Sequence, residues 1–274
     1  MGIFRFKRFS VKNERSAMKV NTDGVLLGAS MTILPSDMEL LDIGTGTGTV
    51  ALIAAQRLYD LQSGTLPASA ADFLVQAIDI DLDSASEAAE NFAESPWSGN
   101  LLAENISLDG LELRLDAGDG LGACDCGMRA GTAMGRGGTG RMEYDFIFSN
   151  PPYFESSLKA PDERRRAARH AETMSYRDIV DFSSRHLKAN GRLSMILPAE
   201  VEQDLLRYAA SGGLFPFRIL RIKSVPRKEP YRIMAEFSRV ARDGEAEEGL
   251  LVIQDGGRYT EEYCSVTHEF LLYS

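Results

Sequence analysis

Glu39-Leu40-Leu41-Asp42-Ile43-Gly44-Thr45-Gly46-Thr47-Gly48 decides the fold. Its apolar first half reads as a buried strand. Glycine then takes every second position, and Thr49 to Leu58 continues as a helix of small and apolar residues. Strand, glycine turn and helix form a nucleotide-type site, where backbone amides approach a ligand closely because no Cβ intervenes. A dinucleotide fingerprint wants Gly-x-Gly-x-x-Gly, and position 49 is Thr, so that match is off by one. Asp42 is also out of place facing a pyrophosphate. A carboxylate suits an amine or a cation, and S-adenosylmethionine offers both an amine and a sulfonium. The residues favour that cofactor over NAD, with Asp42, Gly44, Thr45, Gly46 and Gly48 beside it.

After a polar link at 62–72, Phe73–Ile78 reads as the next strand and ends in Asp79-Ile80-Asp81. An acid at the tip of the second strand is placed to bind two ribose hydroxyls, and Asp79 is the first choice. Asp81 is the reserve, and its plainer reading is a helix N-terminal charge complementing the dipole. A helix is expected over Leu82–Ala93, stopped by Ser95-Pro96-Trp97, and a third strand over Leu101–Ile106.

The second informative stretch is Ser149-Asn150-Pro151-Pro152-Tyr153-Phe154, which follows the apolar run Tyr144–Phe148. Two prolines can neither donate to a ladder nor continue a helix, so the chain leaves the sheet at a strand's C-terminal edge. Open α/β sheets bind ligands there. Asn-Pro-Pro also makes an ordinary turn. Beside a cofactor turn it suits one task. The amine of adenine, like an amide nitrogen, is a poor nucleophile because its lone pair is delocalised. The Asn150 side-chain oxygen and the Pro151 carbonyl accept both of its N–H groups and aim the lone pair. Tyr153 stacks on a base taken out of its helix, with Phe154 beside it.

Further on, Ser175-Tyr176-Arg177-Asp178 reads as a capping box opening a helix with Ile179, Val180, Phe182 and Leu187 inward, ended by Gly191. Arg192–Leu197 reads as a strand and Ala199–Ala210 as a helix. Phe217–Val225 and Ile233–Val240 read as a strand pair, Leu250–Ile253 as a further strand, and Tyr259–Leu272 as a closing helix. This order describes an α/β fold with a doubly wound, seven-stranded, mostly parallel sheet and an antiparallel C-terminal hairpin. One domain over 1–274 is expected, with an N-terminal arm at 1–30 and a flexible glycine-rich insertion at 110–141.

The chain has 274 residues, 30 Lys/Arg and 40 Asp/Glu, a net charge of −10. That argues against indiscriminate nucleic-acid binding, so local charge matters more than the sum. Three basic segments stand out. Residues 1–20 hold six Lys/Arg against one acid, with Phe4, Phe6 and Phe9 interleaved among Arg5, Lys7 and Arg8. Residues 159–170 hold five against two, with Arg164, Arg165, Arg166, Arg169 and His170. Arg218–Arg232 holds six against one. Each reads either as a solvated charged face or as a phosphate contact. Three cysteines, no signal peptide and no apolar run long enough for a membrane point to a reducing cytoplasm. Cys124 and Cys126 lack further ligands at metal-binding spacing.

With these residues in view, the chain resembles class I S-adenosylmethionine-dependent amino-methyltransferases with an Asn-Pro-Pro-Tyr loop. Among them it is most similar to the bacterial tRNA1(Val) adenine-37 N6-methyltransferases. The likeness rests on FRFKRF (4–9), AMKVNTDGVLLGA (17–29), LLDIGTGTG (40–48), AIDID (77–81), SPW (95–97), SNPPYF (149–154), RRAARH (165–170) and YTEEYCSVTHEFLL (259–272). The resemblance implies S-adenosylmethionine as cofactor, tRNA as partner and no metal. It implies that Lys19, Thr22 and Asp23 line the cofactor pocket, with Asp79 and Ile80 at the ribose. Relatives often carry an acid after the third strand; here that place holds Ser107, with Asp109 and Asp119 as alternatives. Methylation of a protein glutamine, another nucleic-acid amine as target, and a non-catalytic RNA-binding module are the competing readings. The oligomeric state is open, a monomer being favoured.

Overall fold

The computed structural model describes residues 2–64, 71–118, 142–152, 174–241 and 244–272. An antiparallel ribbon, β1 (Ile3–Arg5) and β2 (Ser10–Lys12), precedes α1 (Thr22–Ser30). Then come β3 (Glu39–Ile43), α2 (Thr49–Ser63), β4 (Leu74–Asp79), α3 (Leu82–Ala93), β5 (Leu101–Asn105), α4 (Leu108–Asp116) and β6 (Tyr144–Ser149). The second half holds α5 (Tyr176–His186), β7 (Leu187–Pro198), α6 (Glu202–Ser211), β8 (Phe215–Lys223), β9 (Arg232–Ser238) and β10 (Glu247–Val252). A small ribbon, β11 (Gln254–Asp255) with β12 (Arg258–Tyr259), leads into α7 (Glu261–Thr267).

Eight strands form one sheet in the order β10-β8-β9-β7-β6-β3-β4-β5. Only β9 runs antiparallel to its neighbours. The reversal of strand order at β3 and β6 is the switch point at which such sheets open a crevice. The doubly wound sheet and the antiparallel hairpin are those expected from the sequence. The eighth strand is β10, which pairs in parallel with β8 from Glu247↔Arg218 to Val252↔Lys223. Two apolar layers sandwich the sheet. One gathers α1, α2, Trp97 and the aromatics of the arm; the other gathers α4, α5 and α6.

Some boundaries differ from expectation. Residues 110–116 belong to α4, not to the insertion, because Leu108, Leu111 and Leu115 recur on one face and are buried. Residues 119–141, with Cys124 and Cys126, lie outside the described residues. Finally, α5 ends at His186 and β7 starts there, short of Gly191. Its start is the capping box read from the sequence, with Ser175 and Asp178 bonding reciprocally.

Candidate active site

The glycine turn follows β3 at the switch point. Gly44, Gly46 and Gly48 all have positive φ (72°, 58° and 80°). Gly48 N-caps α2 in the left-handed conformation. A Cβ there would lie 2.5 Å from Cε1 of the buried Phe92 ring, so α3 presses directly on the turn. Asp79, at the tip of β4, accepts from the Gly46 amide (2.9 Å) and from the Asp81 amide (2.9 Å). Burial raises its pKa. Asn105 braces the same tip by donating to the carbonyls of Asp79 (3.0 Å) and Ile80 (2.9 Å).

Asn150 reaches the turn from the neighbouring strand. Ser149 donates to the Ile43 carbonyl at 2.6 Å, which locks the end of β6 to the end of β3. One residue on, Asn150 is buried, with Nδ2 3.9 Å from the Met18 sulfur. It lines a single cavity together with Gly44, Thr45, Gly46 and Lys19. The space between these residues amounts to about 300 Å³ when the open solvent at its mouth is included. The two stretches singled out in the sequence therefore meet.

Other expected residues fall elsewhere. Thr22 is exposed on the first turn of α1 and Asp23 pairs with Arg232 at 2.8 Å; like Asp42 and Asp79, they are not among the residues lining the cavity. The segment contributes Met18, Asn21 and Gly24 instead. Asn21 N-caps α1 by accepting from Gly24 N at 2.8 Å, a signal readable in the sequence. Asp81 N-caps α3 through Ser84, the plainer of its two readings. Ser107 N-caps α4 through Gly110, Asp109 is exposed beside it, and Ile80 is exposed at the tip of β4. Pro151 is buried and Pro152 half-buried. Tyr153, Phe154, Arg164, Arg165, Arg166, Arg169, His170 and Asp119 lie outside the described residues. In the arm, Arg5 is exposed and Lys7 donates to the His268 carbonyl.

Asp42 sits beneath the turn. It is 1% exposed; Oδ2 accepts from Thr45 at 2.7 Å, while Oδ1 has no hydrogen-bond partner. Burial pushes its pKa from 3.8 up to about 7, opposed by the Thr45 bond and reinforced by Asp79. Between those values the folded chain holds a proton that the unfolded chain has released, so stability falls as pH rises from about 4 to 7. Asp42→Asn cannot ionise and keeps an acceptor for Thr45. Its unfolding midpoint in urea should gain on the parent chain at pH 8 relative to pH 5. An equal difference at both pH values would show that Asp42 does not titrate in this range.

These residues fit a cofactor with an amine and a ribose. The glycine turn leaves room for close approach, an orphaned carboxylate oxygen lies beneath it, and the carboxylate of Asp79 stands at the next strand tip. Among the described residues no group of three or more His, Cys, Asp or Glu is arranged to hold a metal. Nor is any helix among them long and apolar enough to cross a membrane.

No family model matches the chain. Curated relatives do. A tRNA1(Val) (adenine(37)-N6)-methyltransferase of Bacteroides fragilis is 37% identical over 269 residues, covering 98% of this chain and 97% of the relative. One from Flavobacterium johnsoniae is 36% identical over 271 residues, at 98% and 99% coverage. One from Trichodesmium erythraeum is 32% identical over 270 residues, at 98% and 97%. Among solved structures, a "predicted O-methyltransferase" of Agrobacterium tumefaciens aligns with TM-score 0.55 and 16% identity, covering 89% of this chain and 95% of that one. A methyltransferase of Pyrococcus furiosus gives TM-score 0.51 and 16% identity, at 84% and 90%. At such identities the structural matches speak to the fold alone.

Proposed function

This chain belongs to the tRNA1(Val) (adenine(37)-N6)-methyltransferase family, and from that premise we propose that it methylates N6 of adenine 37 in tRNA1(Val). The methyl donor is S-adenosyl-L-methionine, which supplies an electrophilic methyl on a sulfonium. The observation that carries the reading is the shared cavity, where Asn150 faces the glycine turn across the switch point.

The protein's part is positioning. Asn150 and the Pro151 carbonyl accept the two N6–H groups and draw the nitrogen toward tetrahedral geometry, lone pair toward the methyl. With the cofactor bound, the N–C bond would form as the C–S bond breaks, the bonding pair leaving with sulfur. The nitrogen becomes cationic and only then releases its proton to water, so no strong base is needed at the site. Gly44, Thr45 and Gly46 take the methionine end and Asp79 takes the ribose hydroxyls. Its carboxylate keeps acceptor capacity beyond its two amide bonds. Tyr153 stacks on the extruded base, and the arginines at 164–169 meet the RNA. A tRNA substrate fits work in the cytoplasm.

Incubation with methyl-labelled S-adenosylmethionine and separate pools of total tRNA and release-factor protein tests this. Label should enter tRNA and appear as N6-methyladenosine at position 37. Label in a protein glutamine would replace the reading with its amide counterpart, and tRNA binding without turnover would make the chain a binding module.

A further inference from the structure

We propose that the β8–β9 loop, Ser224–Tyr231, grips phosphates of the substrate RNA, with Arg227 and Lys228 as its contacts. The proposal rests on the tRNA reading above and assigns a surface to it.

Position comes first. Parallel β7 ends at Pro198, which pairs with Arg232, the first residue of β9. The loop therefore leaves the sheet on the edge that carries the glycine turn and Asn150. Arg232 joins it to the cavity wall, because its Nε lies 2.8 Å from Asp23, next to Gly24, which lines the cavity. An RNA that inserts one base into that cavity must lay its neighbouring backbone over this edge.

Presentation comes second. Val225–Lys228 is a closed turn, with the Lys228 amide donating to the Val225 carbonyl at 3.2 Å. Pro226 takes the second position, where its fixed φ suits such turns. The base of the loop is tied down by Tyr231 N to Ile222 O (3.0 Å) and by Gln254 N to Ser224 O (3.1 Å). A loop already held in shape loses little entropy when a ligand arrives.

Charge comes third. Arg227 and Lys228 are exposed, and among the described residues neither makes an ion pair or a side-chain hydrogen bond. One acid, Glu229, adjoins them. The arm, equally basic in sequence, is different. Arg8 pairs with Asp60 (2.6 Å), Lys12 with Glu90 and Glu94 (3.1 and 2.7 Å), and Arg15 with Glu90 (2.7 Å). Those cations fasten the arm to the body. On a chain of net charge −10, cations left uncompensated beside the cavity are the ones available to phosphates.

The test is equilibrium binding of tRNA1(Val) transcript across a series of KCl concentrations. Arg227→Ala/Lys228→Ala should flatten the slope of log K against log salt by about 2, near 1 per lost phosphate contact. It should also weaken binding at least tenfold near 0.1 M salt, with S-adenosylmethionine affinity unchanged. Arg8→Ala should leave the slope as it is. An unaltered slope in the double variant, or an equal loss of cofactor affinity, would overturn the loop assignment while an active wild type keeps the functional reading. A wild type that neither binds nor methylates tRNA would overturn both.

Discussion

Asn150→Ala is expected to lower kcat by about 10²–10³-fold, the usual cost of removing one hydrogen-bonding group aimed at a reacting centre, while leaving cofactor affinity within about twofold. The separation follows from the geometry. The cofactor end of the cavity is built from Gly44, Thr45 and Gly46 on the β3–α2 connection. Asn150 arrives from a different strand and contacts the arm at Met18. Truncating it takes an acceptor from the amine without touching the turn. Asn150→Asp keeps oxygen acceptors at the same reach but adds a charge, so its turnover should fall between alanine and the wild type. Single-turnover transfer to tRNA, with cofactor binding measured by calorimetry, reads both quantities. An Asn150→Ala enzyme with normal kcat would remove the residue from the chemistry; equal losses in kcat and cofactor affinity would make it a wall of the cofactor site.

What was legible in the sequence was local. The glycine turn, the strand before it and the prolines after Asn150 are set by backbone sterics within a few residues. The capping box at Ser175 is likewise complete within four positions. The partners of charged side chains were not legible, because they come from far along the chain. Glu87 is the plainest case. It looks like one more surface acid on an amphipathic helix, yet it is buried and accepts from the amides of Glu14 (2.8 Å), Arg15 (2.9 Å) and Ser16 (3.1 Å). Asn91, one turn on, bonds Lys12 on the arm and Thr47 on the turn. A polar stripe on α3 thus fastens the arm beside the cavity. Distance in sequence likewise hid the pairing of Asp23 with Arg232. Strand β10 was visible only as a short apolar run, since an edge strand owes its existence to the neighbour it pairs with.

Gly48→Ala is expected to cost about 2–5 kcal/mol of stability, from two separable sources. An L-residue at φ 80° pays roughly 1–2 kcal/mol for the left-handed conformation. A Cβ 2.5 Å from Phe92 Cε1 and 3.0 Å from Cζ adds roughly 1–3 kcal/mol of overpacking. The ring cannot swing aside, because Phe92 is buried among the residues of the core. Gly213 isolates the first source, having φ 76° with nothing within 4 Å of its Cβ position; Gly213→Ala should show the backbone cost alone. The second source should respond to its partner. Phe92→Leu in the Gly48→Ala background removes atoms from the overlap, so the double variant should be less destabilised than the sum of the singles. Urea unfolding would report all of these as shifts in midpoint at constant slope. The functional consequence follows from the same overlap. Relief of the clash requires the turn to move away from α3, and the Gly46 amide bonded to Asp79 moves with it. Cofactor affinity should therefore fall in Gly48→Ala and recover in part with Phe92→Leu. A strictly additive cycle, or a Gly48→Ala midpoint matching that of Gly213→Ala, would show that α3 does not press on the turn.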